Sequence, residues 1–97
     1  MQVRQTVRFR DWMERLRDRR AVERIRIRIA RLEAGNFGDT KYFGAVGELR
    51  VDFGPGYRIY FTRRGKLLVI LLCGGDKASQ RRDFALAREL ADELNPE

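Results

Sequence analysis

Histidine is absent from this 97-residue chain, and cysteine occurs once, at Cys73. Without histidine there is no Cys/His zinc site and no imidazole acid–base pair. A lone cysteine forms no internal disulfide. Following the apolar run Leu67–Leu72, it reads as a buried, reduced thiol of the kind found in cytoplasmic proteins. No apolar run approaches membrane-spanning length, and the first residues lack the apolar core of a signal peptide, so neither a membrane nor an export route is expected. The stretch Gly74-Gly75-Asp76-Lys77 is too short and wrongly spaced for a phosphate-binding P-loop. No metal and no cofactor are expected, and any chemistry falls to Arg, Lys, Tyr, Glu or Asp.

What the chain does have is positive charge. Lysine and arginine number 21 against 14 acidic residues, a formal charge of +7. Hydrophobic residues make up 43% and charged ones 36%, which excludes a disordered segment and leaves material for one modest core. Residues 1–97 read as a single domain with no linker, repeat or low-complexity tract. A compact basic domain most often meets nucleic acid, with an acidic protein next and a merely solvated charged surface as the plain alternative.

Residues 2–9 mix β-formers with polar positions and predict a first strand. Asp11 predicts an N-cap for a helix over about residues 12–19, with Trp12, Met13 and Leu16 toward the core. In residues 20–34, Val22, Ile25, Ile29 and Leu32 recur at helical steps, and Gly35 is suited to end that helix. Ile27 falls off the stripe. Arg24, Arg28 and Arg31 repeat on a neighbouring face; with Lys41 they are candidate RNA-binding residues, a solvated helix face being the alternative. Residues 35–46 hold several glycines and read as a loop. Strands follow at about 47–53, 57–62 and 67–73, turned by Gly54-Pro55-Gly56 and by Arg64-Gly65, with Gly74-Gly75 breaking the last. A final helix spans 79–94 with Phe84, Ala87, Ala91 and Leu94 on one face and Pro96 beyond its end. The sum is an α+β domain: a strand, two N-terminal helices packed on a small antiparallel sheet, a C-terminal helix, and one sheet face left open.

Strand alternation sorts residues 48–61: Leu49, Val51, Phe53, Tyr57, Ile59 and Phe61 fall on one face, and Arg50, Arg58 and Tyr60 on the other. A three-residue turn would set Phe53 opposite Tyr57, Asp52 opposite Arg58 and Arg50 opposite Tyr60, with Phe61 facing Leu68 in the next hairpin. Lys77 reaches the edge of this cluster. Arginine forks stabilise charge on a phosphate during RNA cleavage, and a lysine or tyrosine can move protons where cationic neighbours lower its pKa. Tyr60 can also stack on an extruded base. An exposed ion pair between Arg58 and Asp52 is the bland alternative.

The segments Phe9-Arg10-Asp11-Trp12, Gly35-Asn36-Phe37-Gly38-Asp39, Gly47-Glu48-Leu49-Arg50, Gly54-Pro55-Gly56-Tyr57-Arg58-Ile59-Tyr60-Phe61 and Leu71-Leu72-Cys73-Gly74-Gly75-Asp76-Lys77 together resemble the RelE/ParE superfamily of toxins from toxin–antitoxin modules. Within it, they are most similar to the HigB-like addiction module killer group. The resemblance implies a ribosome-dependent endoribonuclease that cuts mRNA and inhibits translation. It also implies a helix-turn-helix antitoxin partner and the ribosome with its mRNA as target. Basic residues on the family's concave sheet face match Arg50 and Arg58, and one near the end of the last strand matches Lys77. HigB-like nucleases often carry a His or Tyr near the C-terminal end; this chain has no His and no Tyr after Tyr60, which leaves proton transfer to Tyr60 or Lys77. The gyrase-poisoning ParE branch, which needs no catalytic groups, and an RNA-binding module without chemistry are the alternatives.

Overall fold

The computed structural model describes residues 1–94. In chain order it contains β1 (Gln2–Gln5), α1 (Val7–Arg15), α2 (Arg19–Glu33), β2 (Thr40–Phe43), β3 (Val46–Val51), β4 (Tyr57–Arg64) and β5 (Leu68–Gly75). A single 3-10 turn at Lys77–Ser79 then leads into α3 (Gln80–Leu94). Pro96 lies outside the described residues. The α+β class read from the sequence is the one observed. The sheet has the order β1-β5-β4-β3-β2. It is mixed, not purely antiparallel: β1 runs parallel to β5, with Gln2 beside Leu68 and Gln5 beside Leu71. Among the described residues no helix is long and apolar enough to cross a membrane.

The first helix begins earlier than the sequence suggested. Thr6, not Asp11, is its N-cap: the Thr6 hydroxyl accepts from Phe9 N at 3.1 Å and donates to Leu72 O at 2.6 Å. One side chain thus stops β1 after Gln5, starts α1 and ties both to β5; such a cap stabilises by about 1 kcal/mol. Asp18 caps α2 in the same manner, accepting from Arg20 N and Ala21 N. The α2 stripe packs as its spacing dictates, with Ile25 and Leu32 buried and Ile27 left outside. They join Phe9, Leu49, Val51, Tyr57, Ile59, Phe61, Val69 and Leu71 in the larger core, where each large apolar side chain contributes roughly 2 kcal/mol.

Three local readings are corrected. Residues 40–43 are not loop but the edge strand β2, antiparallel to β3, with Thr40 opposite Leu49 and Phe43 opposite Val46. Gly74 and Gly75 do not break the strand but belong to β5, as its last two residues, and pair with Ile59 and Arg58. Glycine is required at both for space: the Trp12 ring stands where a Gly74 Cβ would sit, and the Asp83 carboxylate where a Gly75 Cβ would sit. The hairpin register is also shifted. Val51, not Phe53, lies opposite Tyr57, which makes Arg50 the partner of Arg58 and Glu48 the partner of Tyr60. The connection is longer than a three-residue turn because Gly54 and Gly56 adopt φ of +56° and +82°, and Phe53 N bonds back to Val51 O. In the second hairpin Arg64, not Phe61, faces Leu68, and a bulge between Tyr60 and Phe61 brings Phe61 opposite Leu71. A shift of two residues in the first hairpin changes partners but not faces, so the division into apolar and basic faces holds.

The second face is not fully open. The C-terminal helix α3 lies across part of it, burying Tyr60, Leu72 and Cys73 beneath Ala87 and Ala91, with Val46 at the margin. A smaller core therefore backs the sheet, and only the end toward Arg50, Arg58 and Lys77 stays accessible.

Candidate phosphate-binding site

The centre of that accessible end is a carboxylate. Period two puts Glu48 on the face of Arg50, and the register sets it across from Tyr60. Glu48 is 2% exposed, a burial that a carboxylate tolerates only with partners. It has four. Tyr60 OH donates to Oε2 at 3.1 Å and Gln80 Nε2 donates to the same oxygen at 2.9 Å. Arg58 Nε lies 3.8 Å from Oε2 and Arg50 Nε 3.6 Å from Oε1. These last two are charge contacts longer than hydrogen bonds, and the buried Nε of each arginine has no hydrogen-bond partner. Glu48 thus holds two like-charged groups of neighbouring strands side by side through charge contacts.

Both arginines open into one hollow. Arg50, Arg58 and Lys77 line a cavity of about 250 Å³ together with Asp39, Asp52, Gly56 and Tyr57. The Arg58 side chain is 11% exposed and that of Arg50 31%. Arg58 is also braced from below, its Nη1 donating to Gly56 O at 2.7 Å. No Arg58–Asp52 ion pair forms; Glu48 takes that place. Lys77 stands exposed at the rim, set there by a tightly capped turn. Asp76 Oδ1 accepts from Ala78 N and Ser79 N, while Ser79 closes the reciprocal bond to Asp76 N. Two arginines and a lysine around a small polar hollow can hold one tetrahedral oxyanion, with Asp39 and Asp52 on the same wall opposing it.

Tyr60 does not do what its sequence position suggested. It is fully buried under α3, so it cannot stack on a base. Its pKa is raised, first by burial and then by the charge and hydrogen bond of Glu48, with Arg58 opposing only weakly. A phenol so placed holds its proton and serves to fix Glu48. The α2 arginines are likewise separated from the cluster. Arg28 is a structural brace, donating to Arg50 O and, at 3.1 Å, to Phe37 O; burial lowers its pKa. Arg24 covers the Phe53 ring at 4.8 Å, and Arg31 is exposed. Lys41, opposite Glu48 in the β2–β3 ladder, shares the site's face.

Two residues of the site, Glu48 and Gln80, lie outside the sequence candidates. Glu48 was legible from alternation alone, two positions from Arg50. Gln80 carried no signal, because its role depends on α3 crossing the sheet. A second hollow of about 420 Å³ adjoins the first, lined by Phe43, Glu48, Lys77, Ala78, Gln80, Arg81 and Phe84. Among the described residues no group of three or more Cys, Asp or Glu side chains is gathered as a metal site.

No protein-family model matches the chain. A protein of Haemophilus influenzae, described only as uncharacterized, is 46% identical over 95 residues, covering 97% of this chain and 96% of its own.

Proposed function

The chain belongs to one family with that Haemophilus influenzae protein, and for it we propose the function of a RelE/ParE-type toxin of the HigB-like group: a metal-independent endoribonuclease that cuts mRNA on the ribosome. The observation that carries the reading is the placement of Arg50, Arg58 and Lys77 around one cavity of about 250 Å³, with Glu48 buried behind the two guanidinium groups. Arg50 and Arg58 bind the non-bridging oxygens of the scissile phosphodiester and stabilise the charge that builds there. The adjacent ribose 2′-oxygen attacks phosphorus and loses its proton to water. The bond to the 5′-oxygen breaks, and the Lys77 ammonium donates a proton to that leaving oxygen. The products are a 2′,3′-cyclic phosphate and a 5′-hydroxyl end. Glu48 and Tyr60 position the arginines and take no proton.

The net charge of +7 supports a polyanionic target and an antitoxin with an acidic segment that covers the basic face. The test is to add wild type and Arg58→Ala to a translating extract and map mRNA ends. Codon-linked cuts with wild type and their loss in the variant support the proposal. An uncut message sinks it, and inhibition of DNA supercoiling by the same protein then favours the gyrase-directed reading.

A further inference from the structure

Lys77 is the proton donor of the proposed reaction, yet its side chain makes no hydrogen bond and no ion pair among the described residues. What places it is therefore its backbone. A Cβ at Gly56 would lie 3.6 Å from Lys77 Cβ and 3.3 Å from Arg58 Nη1, so the lysine stem and the guanidinium flank the same glycine of the β3–β4 turn. Like charges so close repel. An ammonium on a flexible stem swings away unless the turn that carries it is held.

The holding contact runs through Asp83. Its carboxylate is buried in the first turn of α3, where the free N–H groups of the helix favour a negative charge. It presses on Gly75, the last residue of β5, and leaves no room there for a Cβ; Gly75 in turn pairs with Arg58. Toward the Lys77 turn, Asp83 Oδ2 accepts from the Ser79 hydroxyl. That hydroxyl has one proton and three acceptors in reach: Asp83 Oδ2, the closest, and Asp76 O and Oδ1, each at 3.4 Å. With the proton directed at Asp83, a lone pair of Ser79 Oγ is left to accept from Asp76 N at 3.3 Å. The bonds that close the turn around Lys77 are thus oriented by a carboxylate on the next helix, and β5, the turn and α3 meet at Asp83.

We infer that Asp83 is a positioning residue for proton transfer: through Ser79 and Asp76 it holds Lys77 beside Arg58, where the ammonium meets the leaving 5′-oxygen. The inference rests on the reading of Lys77 as proton donor and adds to it the group that keeps the donor in place. A carboxylate that merely stabilises the start of α3 is the rival account. It predicts losses of cleavage that do not depend on the leaving group.

The experiment follows single-turnover cutting of a ribosome-bound message by the full chain, at the codon that wild type cuts. The scissile linkage carries either its natural 5′-oxygen or a sulfur in that place. In both, the 2′-oxygen attacks phosphorus and the bond from phosphorus to the 5′ atom breaks. An alkoxide needs a proton as it leaves, whereas a thiolate, whose conjugate acid is far stronger, leaves without one. Lys77→Ala should lose about 100-fold on the oxygen linkage, the low end for a general acid, and about tenfold less than that on sulfur. Asp83→Ala should repeat the pattern in weaker form, with a loss of about tenfold on oxygen against about twofold on sulfur. Arg58→Ala should lose both alike. Ser79→Ala should match Asp83→Ala and carries the test if the latter shows no folded baseline in urea; Ser79→Thr, which keeps the hydroxyl, should recover cutting. Equal losses on the two linkages in the Asp83 and Ser79 variants, or no loss on oxygen, overturn the positioning role while Lys77 keeps its own. If Lys77→Ala itself loses oxygen and sulfur cutting alike, Lys77 transfers no proton and the inference falls with it. A message that wild type leaves uncut ends the nuclease reading and everything built on it.

Discussion

Glu48 stands between Arg50 and Arg58, 3.6 Å from the Nε of one and 3.8 Å from the Nε of the other. Two guanidinium groups on adjacent strands of a directly opposed pair repel one another, and a buried carboxylate between them turns that repulsion into a shared attachment. Removing it leaves the Gln80 amide without its acceptor and the Tyr60 hydroxyl with only the Gln80 backbone carbonyl at 3.4 Å. Glu48→Ala should lower stability by about 3 kcal/mol, the scale for breaking a buried charge network from one side. Urea unfolding checks this; a loss below about 1 kcal/mol would show that the pocket relaxes around the gap.

Arg58 is the more buried of the two arginines and the one braced by a backbone carbonyl. Arg58→Lys keeps the charge but loses the planar fork, and it should reduce mRNA cleavage about 100-fold. The corresponding Arg50→Lys change, at the more exposed position, should cost less. End-mapping of message in a translating extract measures both. Equal losses would mean that burial does not rank the two groups.

Tyr60→Phe separates positioning from chemistry. Only one hydroxyl is removed, with Glu48 still held by Gln80 and the arginines, so stability should drop by about 1 kcal/mol and cleavage should stay within a few-fold of wild type. Loss of cleavage in a variant that unfolds at the wild-type urea midpoint would make Tyr60 a participant in proton transfer.

Alkaline pH should destabilise the fold. Burial, and then the Asp83 carboxylate, push the Cys73 thiol up to about 12 from an ordinary value of 9. The folded form holds this proton longer than the unfolded chain does. The stabilising contribution is therefore complete below pH 9 and is lost as pH rises from 9 toward 12, by roughly 1 kcal/mol per pH unit. Tyr60, raised for similar reasons, adds a further loss above pH 10. Urea midpoints at pH 8, 9 and 10 should fall between 9 and 10 in wild type and fall less over that step in Cys73→Ala; parallel curves would contradict the assignment to the thiol.

Gly75→Ala should be more damaging than its conservative appearance suggests. A methyl group there meets the Asp83 carboxylate and the Ser79 hydroxyl, the pair that anchors the start of α3 by a short hydrogen bond. The displacement should cost about 2 kcal/mol, the usual range for overpacking, and shift Lys77 away from the arginines. Thermal unfolding reads the first effect. A smaller loss at Gly65→Ala, where nothing is crowded and only the φ of +64° resists a side chain, provides the comparison.

What could be read from the chain was whatever depends on period. The α2 stripe and the alternation in β3 and β4 follow from side-chain geometry alone, and a register error of two residues leaves them intact. The register itself was lost because Asp52 and Phe53 leave the ladder before the Gly-Pro-Gly turn, a fact of loop conformation that no pattern carries. Strand β2 has only four residues, three of them exposed; it is held by pairing with β3, so its own sequence looks like loop. The burial of Tyr60 is not in the pattern, because alternation names a face but not what lies over it, and the crossing of α3 is a tertiary fact. Alternation puts Glu48 on the face of Arg50, two positions away, but its burial and its four partners depend on register and on α3.

The Thr6–Leu72 bond joins positions 66 residues apart, and β1 has no other strand beside it than β5. During synthesis β1 therefore has no strand to pair with until β5 has been made. A message truncated ahead of the codon for Leu72 yields a fragment whose leading helix lacks both its cap's anchor and its sheet.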